Sequence, residues 1–352
     1  MREPLTEPPV RIIARRLGRI AAPAGTLLDA EGILNPAVTR DRAGRLLMFP
    51  RMVAPGNVSR IGLMVADESG EEPRFGDPSI VLAPETEDEL RSEPGGFGCE
   101  DPRVTFVPLL DRYLMAYTAF GPHGPRIAFA ISQDAYRWTR LGRVRFRDDA
   151  LNHVPNKDAA FFPEPVVSPS GVPSFAFFHR PMLPESWNGQ APIDLILSLP
   201  PERREAMAIA YLPVRDVLRD AQALCNAVES VRVLPVGDAW GRLKNGAGTP
   251  PVKTSHGWLS FFHGVDALEG PAGPSLLYRA GILLQDAMRP DRVLHRSPLP
   301  FLEPETLDER HGTVNDVVFP TGIDPLSEES YDLYYGAADF KIARVRVDVL
   351  LR

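Results

Sequence analysis

The sequence predicts an all-β fold, a five-bladed β-propeller with a helical insertion. One short pattern recurs five times: a turn rich in Gly or Asp, then an apolar, aromatic run that ends on a polar side chain. In addition, 37 prolines and 28 glycines divide the 352 residues into many short pieces. Such frequent breakers favour strands and turns over long helices. The long, uneven spacing of the repeats suits propeller blades better than a tight solenoid.

The five repeats have the length of strands and contain residues that suit a pleated surface. They cover residues 44–51, 111–118, 173–180, 257–263 and 331–336. In a propeller the innermost strands surround an axial channel, and we expect the repeats to hold that place. One funnel would then collect the polar residues Arg51, Thr118, His179, Arg180, His263 and Asp339. For any single position, a strand ending at an ordinary surface is the simpler interpretation.

Other segments of the sequence also carry patterns that predict strands or helices. Residues 126–132 and 193–199 alternate in character, which predicts further strands. Residues 201–228 contain helix formers and apolar positions at helical spacing, which predicts a helical insertion between two blades. The insertion could cover the site, mediate contacts in a homo-oligomer, or be an inert surface excursion. We expect one propeller domain over residues 1–352.

Composition limits the classes of function. The net charge of −7 argues against a nucleic-acid partner. Two cysteines, Cys99 and Cys225, give no disulfide framework. No apolar run approaches membrane-spanning length, and the N-terminus lacks the apolar core of a secretory signal. We therefore expect a cytoplasmic protein with no membrane partner.

The sharpest local signal is Glu100-Asp101-Pro102-Arg103, which follows a flexible, glycine-rich approach. One carboxylate could face the channel while Arg103 pairs with the other, because neighbours in a strand point to opposite faces. An Asp-Pro turn with a surface ion pair is the alternative, and the local chemistry alone favours it.

A second signal is a set of cations, Lys157, Arg180 and Lys244, with apolar or glycine-rich flanks. Arg forks and Lys point charges are the side chains that hold phosphate, although a lone cation is usually a solvated surface residue. The seven histidines and two cysteines show no metal-ligand spacing. No metal site or nucleophile elbow is predicted.

Taken together and in order, these motifs resemble glycoside hydrolase family 130, the inverting β-mannoside phosphorylases and some hydrolases built on a five-bladed propeller. The resemblance extends from Asn35-Pro36-Ala37 to Asp339. It rests on residues 100–103, 157–164, 179–181, 244–258, 315–322 and 334–339. Where the family usually has Asp-Thr after Tyr-Gly-Ala-Ala, this chain has Asp339-Phe340.

The resemblance implies a role for each matched residue. Asp101 matches the catalytic acid. Lys157, which falls where some members carry an Arg, belongs with the phosphate-binding positions Arg180, Lys244, His263 and Tyr278. The mannosyl-binding positions are matched by Asn35, Arg51, Ser59, Arg60 and Asp339. Inorganic phosphate is a co-substrate, and no cofactor is implied.

The implied reaction is phosphorolysis of a β-mannoside with inversion, which yields α-mannose 1-phosphate. Asp101 would act through the mannosyl 3-hydroxyl and must be protonated first, so we expect its pocket to raise its pKa. One alternative is an inverting hydrolase, which needs a second carboxylate, with Glu164, Asp316 and Glu309 as candidates. A further alternative is a carbohydrate-binding propeller without catalysis.

Overall fold

The computed structural model describes residues 10–92, 95–237, 239–270 and 273–351. Most of them form antiparallel sheets that are arranged as five blades. The first blade and the strand that precedes it consist of β1 (Val10–Ala21), β2 (Gly32–Arg40), β3 (Leu46–Ala54), β4 (Val58–Asp67), β5 (Arg74–Phe75) and β6 (Ser79–Leu82). The second blade consists of β7 (Phe97–Val107), β8 (Arg112–Gly121), β9 (Gly124–Ser132) and β10 (Thr139–Arg143).

The third blade is preceded by the short strand β11 (Arg145–Phe146). The blade and its flanking strand are β12 (Asn156–Phe161), β13 (Val166–Val167), β14 (Pro173–Pro181), β15 (Met207–Pro213), β16 (Asn226–Ala227) and β17 (Glu229–Leu234). The fourth blade consists of β18 (Lys244–Ala247), β19 (Val252–Thr254), β20 (Gly257–Leu268), β21 (Ser275–Gln285) and β22 (Val293–Arg296). The fifth contains β23 (Val318–Pro325), β24 (Ser330–Ala337) and β25 (Lys341–Leu351).

The two ends of the described chain meet in the fifth blade. Its strand order is β23-β24-β25-β1, so the first strand of the chain lies at the outer edge of the last blade. The pairing of β1 with β25 is antiparallel and extends from Val10 opposite Leu351 to Ala21 opposite Ile342. This pairing closes the ring of blades.

The recurrent aromatic strands are the second strand of each blade, so the prediction that they are innermost was wrong. The innermost strands are β2, β7, β12, β18 and β23, which begin the strand order of their blades. The second strands are covered on both faces, and their aromatic rings fill the space between blades. Phe261 of β20 packs against Tyr331 of β24 with ring centroids 5.8 Å apart, and Phe49 of β3 meets Trp138 of the second blade at 5.7 Å. The aromatic repeat in the sequence therefore reflects the packing between neighbouring blades.

The helical parts of the chain differ from those predicted. The segment 201–228 is helical only at α2 (Val214–Arg219) and in two 3₁₀ turns, Pro201–Arg203 and Ala221–Cys225, while β15 occupies its centre. Met207–Pro213 is fully buried between β14 and β17; helix-forming Met and Ala residues fit there because burial in the sheet outweighs local propensity.

The segment 193–199, predicted as a strand, forms the helix α1 (Ile193–Ser198). Its apolar residues cover a small separate core instead of pairing in a sheet. The remaining helical elements are short, and they are α3 (Leu307–Arg310) and the 3₁₀ turns Pro108–Leu110, Asp149–Asn152 and Pro184–Ser186. In the described ranges no helix has the length and apolar character needed to cross a membrane.

Candidate active site

A cavity of about 400 Å³ lies among the innermost strands. All five blades contribute to its lining, as does the connection of residues 182–206 between β14 and β15. The polar lining residues are Asn35, Arg51, Asp101, Lys157, Asp158, Arg180, Asn188, Gln190, His263, Tyr278 and Asp339. Residues that are far apart in the sequence thus converge on one space.

Three innermost strands present a side chain to this cavity by the same backbone feature. Asn35, Asp101 and Asp158 have φ values of 42°, 46° and 61°, in the left-handed region that Asn and Asp tolerate better than most residues. At each of them the pairing with the second strand shifts register. Such bulges re-aim a side chain and break the alternation of the strand.

The bulge explains why Glu100 and Asp101 do not point to opposite faces as predicted. Arg51 binds both carboxylates, with Nη2 2.9 Å from Glu100 Oε1 and Nη1 3.3 Å from Asp101 Oδ1. Asn35 Nδ2 donates to Asp101 Oδ1 at 2.8 Å. Of the two carboxylates, only Asp101 is among the described residues that line the cavity.

Arg103 does not take the second carboxylate, contrary to prediction. Its guanidinium donates to the backbone carbonyls of Asp101, Ala247 and Gly248. These bonds join the bulge of the second blade to the innermost strand of the fourth.

The carboxylates near Arg51 have pKa values that shift in different directions. Burial raises the pKa of Asp101, but Arg51, Arg103 and Lys157 outweigh it and hold that pKa below its usual value. Burial raises the pKa of Glu100 and of Asp339. The predicted rise in the pKa of Asp101 is therefore wrong, because the nearby cations favour its ionised form.

The opposite side of the cavity is built around Arg180. Its Nε donates to Asp158 Oδ2 at 2.6 Å, and its Nη1 donates to Glu205 Oε2. Burial disfavours the charge on Asp158, but the cations Arg180, Arg103 and Lys157 outweigh it and hold its pKa far below the usual value. Arg180 is thus a fixed cation between two ionised carboxylates.

Lys244 is the second buried cation on this side. Its Nζ donates to Gln190 Oε1 and lies 5.6 Å from the ring centroid of Tyr278. Burial and the charge of Arg180 lower the pKa of Lys244 to about 8. Burial also lowers the pKa of His263 to about 3, so its imidazole is neutral.

Glycine at position 246 is required by the packing of this site. A Cβ atom there would collide with Asp158 Oδ2 and would lie 2.7 Å from His263 Cε1. A Cβ atom at Gly336 would likewise collide with Asn35 Oδ1. Two glycines of the motifs therefore make room for polar side chains of the cavity.

The family of this chain follows from a match to the model of β-1,4-mannooligosaccharide phosphorylases, glycoside hydrolase family 130, over residues 20–178 and 226–350. The chain belongs to this family. The matched ranges contain all but one of the lining residues predicted from the sequence, the exception being Arg180. The unmatched range, residues 179–225, also contains Asn188, Gln190 and Glu205.

Curated relatives of this family 130 protein include a 1,2-β-oligomannan phosphorylase of Thermoanaerobacter sp. (strain X514). It is 30% identical over 286 residues, which cover 80% of this chain and 76% of the relative. A β-1,2-mannobiose phosphorylase of the same organism is 32% identical over 288 residues, covering 81% and 76% of the two chains.

Solved structures share the fold of this family 130 protein. The β-1,2-mannobiose phosphorylase of Listeria innocua, in complex with β-1,2-mannobiose, has a TM-score of 0.70 at 20% identity and covers 96% of both chains. A mannose phosphorylase of Leishmania mexicana, in complex with phosphate ion, has a TM-score of 0.56 at 15% identity, covering 95% of this chain and 89% of the other.

The structure brings most of the predicted site residues together. Asn35, Arg51, Asp101, Lys157, Arg180, His263, Tyr278 and Asp339 line the cavity, and Lys244 contacts Gln190 and Tyr278 of the lining. Ser59 lies behind the wall, where its Oγ accepts from Arg51 Nε at 2.9 Å. Arg60 is half-buried on β4 and is absent from the cavity lining in the described residues.

Two polar strand ends that were expected in the funnel lie elsewhere. His179 is buried between strands of the third blade, where Asn156 and Ser230 bind its ring nitrogens. Thr118 is buried opposite Glu100 on β8. Neither of them is among the described residues that line the cavity.

Sequence reasoning missed Asp158, Gln190 and Glu205. For Asp158 a signal was present, because Asn35-Pro36-Ala37, Asp101-Pro102-Arg103 and Asp158-Ala159-Ala160 place Asn or Asp at the same point of three innermost strands. Gln190 and Glu205 belong to an irregular connection with no such repeat, and Glu205 was included in the predicted helical insertion.

Proposed function

We propose that this protein is an inverting glycoside phosphorylase that cleaves a β-mannoside with inorganic phosphate to give α-mannose 1-phosphate and a shortened sugar. The observation that carries the proposal is the division of the cavity. Asp101 lies on one side with Asn35 and Arg51, and the cations Arg180 and Lys244 lie on or behind the other. Lys157 lines the cavity near both sides, since its charge acts on both Asp101 and Asp158.

The chemistry follows from this division. A phosphate oxygen attacks the anomeric carbon from the cationic side, the bond to the glycosidic oxygen breaks, and Asp101 supplies the proton that the departing oxygen takes up. An inverting phosphorylase needs only one protein carboxylate, because phosphate replaces the base-activated water. The cations offset the charge of phosphate throughout the reaction.

The low pKa of Asp101 in the free protein has a consequence for the order of events. Lys157 is one of the cations that keep Asp101 ionised. When phosphate binds next to Lys157, its negative charge opposes that effect, and a sugar in the cavity removes water from the carboxyl group. Both changes favour the protonated acid, so we propose that Asp101 gains its proton as the substrates bind.

The hydrolase alternative has less support. Of its three candidate bases, Glu309 is held by Arg16 and Tyr335, and Glu164 pairs with Lys253 on the surface. Asp316 is not among the described residues that line the cavity. A carbohydrate-binding protein without catalysis would have no need for buried cations beside a carboxyl group.

The test is a product assay with β-1,2- and β-1,4-linked manno-oligosaccharides, with and without phosphate. We expect α-mannose 1-phosphate only when phosphate is present, and mannoside synthesis from α-mannose 1-phosphate in the reverse direction. Release of free mannose at an equal rate without phosphate would identify a hydrolase. No turnover of either linkage in either direction would favour the binding protein.

A further inference from the structure

The connection of residues 182–206 holds both buried cations of the anion side. Glu205 contacts Arg180, and Gln190 contacts Lys244. The range lies outside the two segments that match the family model. These contacts are therefore a feature of this chain that the shared family pattern does not describe.

The connection is a fixed part of the wall. Ala191 and Ile196 form a small apolar core with Leu243 and Val265, against which Tyr278 also packs. Glu205 is buried, and its Oε1 accepts from Ser186 Oγ at 2.6 Å and from the backbone N–H of Leu183 at 3.2 Å. Both ends of the connection are thus tied to the same carboxylate that binds Arg180.

Glu205 and Asp158 determine which face of Arg180 is open. They occupy Nη1 and Nε, so Nη2 remains as the nitrogen without a hydrogen-bonding partner in the part of the chain that the structure describes. Because Arg180 lines the cavity, its remaining donors are available to a bound anion. A guanidinium held in one orientation loses less entropy when it binds.

Unlike Glu205, which is a charged partner of Arg180, Gln190 is a neutral partner of Lys244. A Lys ammonium group donates up to three hydrogen bonds, and here the amide oxygen of Gln190 accepts one of them at the edge of the cavity. Gln190 lines the cavity, whereas the buried Lys244 is not among the described lining residues, so an anion that reaches Lys244 from the cavity displaces this neutral oxygen. A phosphate oxygen is the stronger acceptor because it is charged.

We propose that the connection of residues 182–206 sets the phosphate affinity through two side chains: Glu205 orients Arg180, and Gln190 occupies Lys244 until phosphate replaces it. The inference rests on the proposed function, since it assigns phosphate to this side of the cavity. Glu205 is a positioning residue and does not touch phosphate. Gln190 acts as an internal competitor.

The test compares three variants by the KM for phosphate and the KM for the mannoside. Gln190→Ala removes the competitor and should lower the phosphate KM by about two- to tenfold. Gln190→Glu gives Lys244 a charged partner and should raise it by about ten- to a hundredfold. Glu205→Gln should raise the phosphate KM as well, while the mannoside KM stays within about twofold for all three variants.

Gln133→Glu is the matched control, because Gln133 lies on an exposed turn between β9 and β10 and should leave both KM values unchanged. A rise in phosphate KM for Gln190→Ala would mean that Gln190 binds phosphate itself and would overturn the competitor role. Equal losses for phosphate and mannoside in Glu205→Gln would overturn the positioning role. A wild-type protein with no phosphate requirement would contradict the proposed function first, which separates the two failures.

Discussion

The two sides of the cavity differ in their balance of carboxyl groups and cations. On the side of Asp101, three carboxyl groups surround a single guanidinium, that of Arg51, and two of the three have raised pKa values. On the side of Arg180, two carboxylates face several cations, and the pKa of Asp158 is strongly lowered. One side favours holding protons, and the other favours holding an anion.

This difference supports the proposed placement of the two substrates. A neutral sugar with hydroxyl groups suits the carboxylate side, where Asn35, Asp101 and Asp339 offer donors and acceptors. A dianion suits the side where Arg180 and Lys244 replace its water. Removing the proton of Asp101 should therefore lower turnover, whereas removing Arg180 or Lys244, or the charge of Lys244, should raise the KM for phosphate.

The largest effect is expected from Asp101→Asn, which keeps the shape of the side chain and removes its dissociable proton. We expect turnover to fall by about 10²- to 10⁴-fold, while thermal stability and mannoside binding are largely kept. Initial rates measure turnover, and calorimetric titration with the mannoside measures its binding. Glu164→Gln makes the same chemical change at the surface pair with Lys253 and serves as the control. Retention of more than about half of the wild-type activity would refute Asp101 as the acid.

Arg180→Ala and Lys244→Ala come next in size and act on the other side. A charge-assisted hydrogen bond is worth about 1.5–3 kcal/mol, so each variant should raise the phosphate KM by about ten- to a hundredfold. The mannoside is neutral, and its KM should change far less. If both constants rise equally, the two cations support the fold of the cavity and do not select phosphate.

The smallest effect is a dependence of the phosphate KM on pH. The pKa of Lys244 is lowered to about 8, so its ammonium is charged below that pH and neutral above it. Phosphate affinity should therefore fall as pH rises through about 8, by up to about tenfold per unit. Lys244→Arg keeps its charge and should flatten this part of the profile. An unchanged slope in Lys244→Arg would assign the titration to another group.

The sequence identified the cavity better than it identified the strands that build it. Arg51 and Asp339 could be predicted because they follow repeated strands, and Asp101 because it belongs to a distinctive short motif, whereas Asn35 was predicted only through the resemblance to the family. The aromatic repeat was noticed first because the packing between blades demands large apolar side chains. Three of the innermost strands share only a single Asn or Asp at the bulge, which is a much shorter signal than the aromatic repeat, and Asp158 was missed for that reason.

Other features depended on tertiary contacts that no local pattern records. Met207–Pro213 lies between two stretches of helix formers, and it has the burial of a central strand. Glu205 and Gln190 are ordinary polar residues in the sequence. They contact Arg180 and Lys244 only because the folded chain brings the connection of residues 182–206 next to these cations. The pKa of Asp101 likewise depends on Arg51 and Lys157, which belong to other blades.

The pairing of β1 with β25 also bears on how the enzyme is made. During synthesis the first strand emerges long before its partner, and chains leave the ribosome at about 5–20 residues per second. Until the fifth blade appears, β1 lacks the strand with which it pairs, the ring stays open and Asp339 is missing from the cavity. A nascent chain with four finished blades would contain Asp101, Arg180 and Lys244 and would still lack part of the cavity wall.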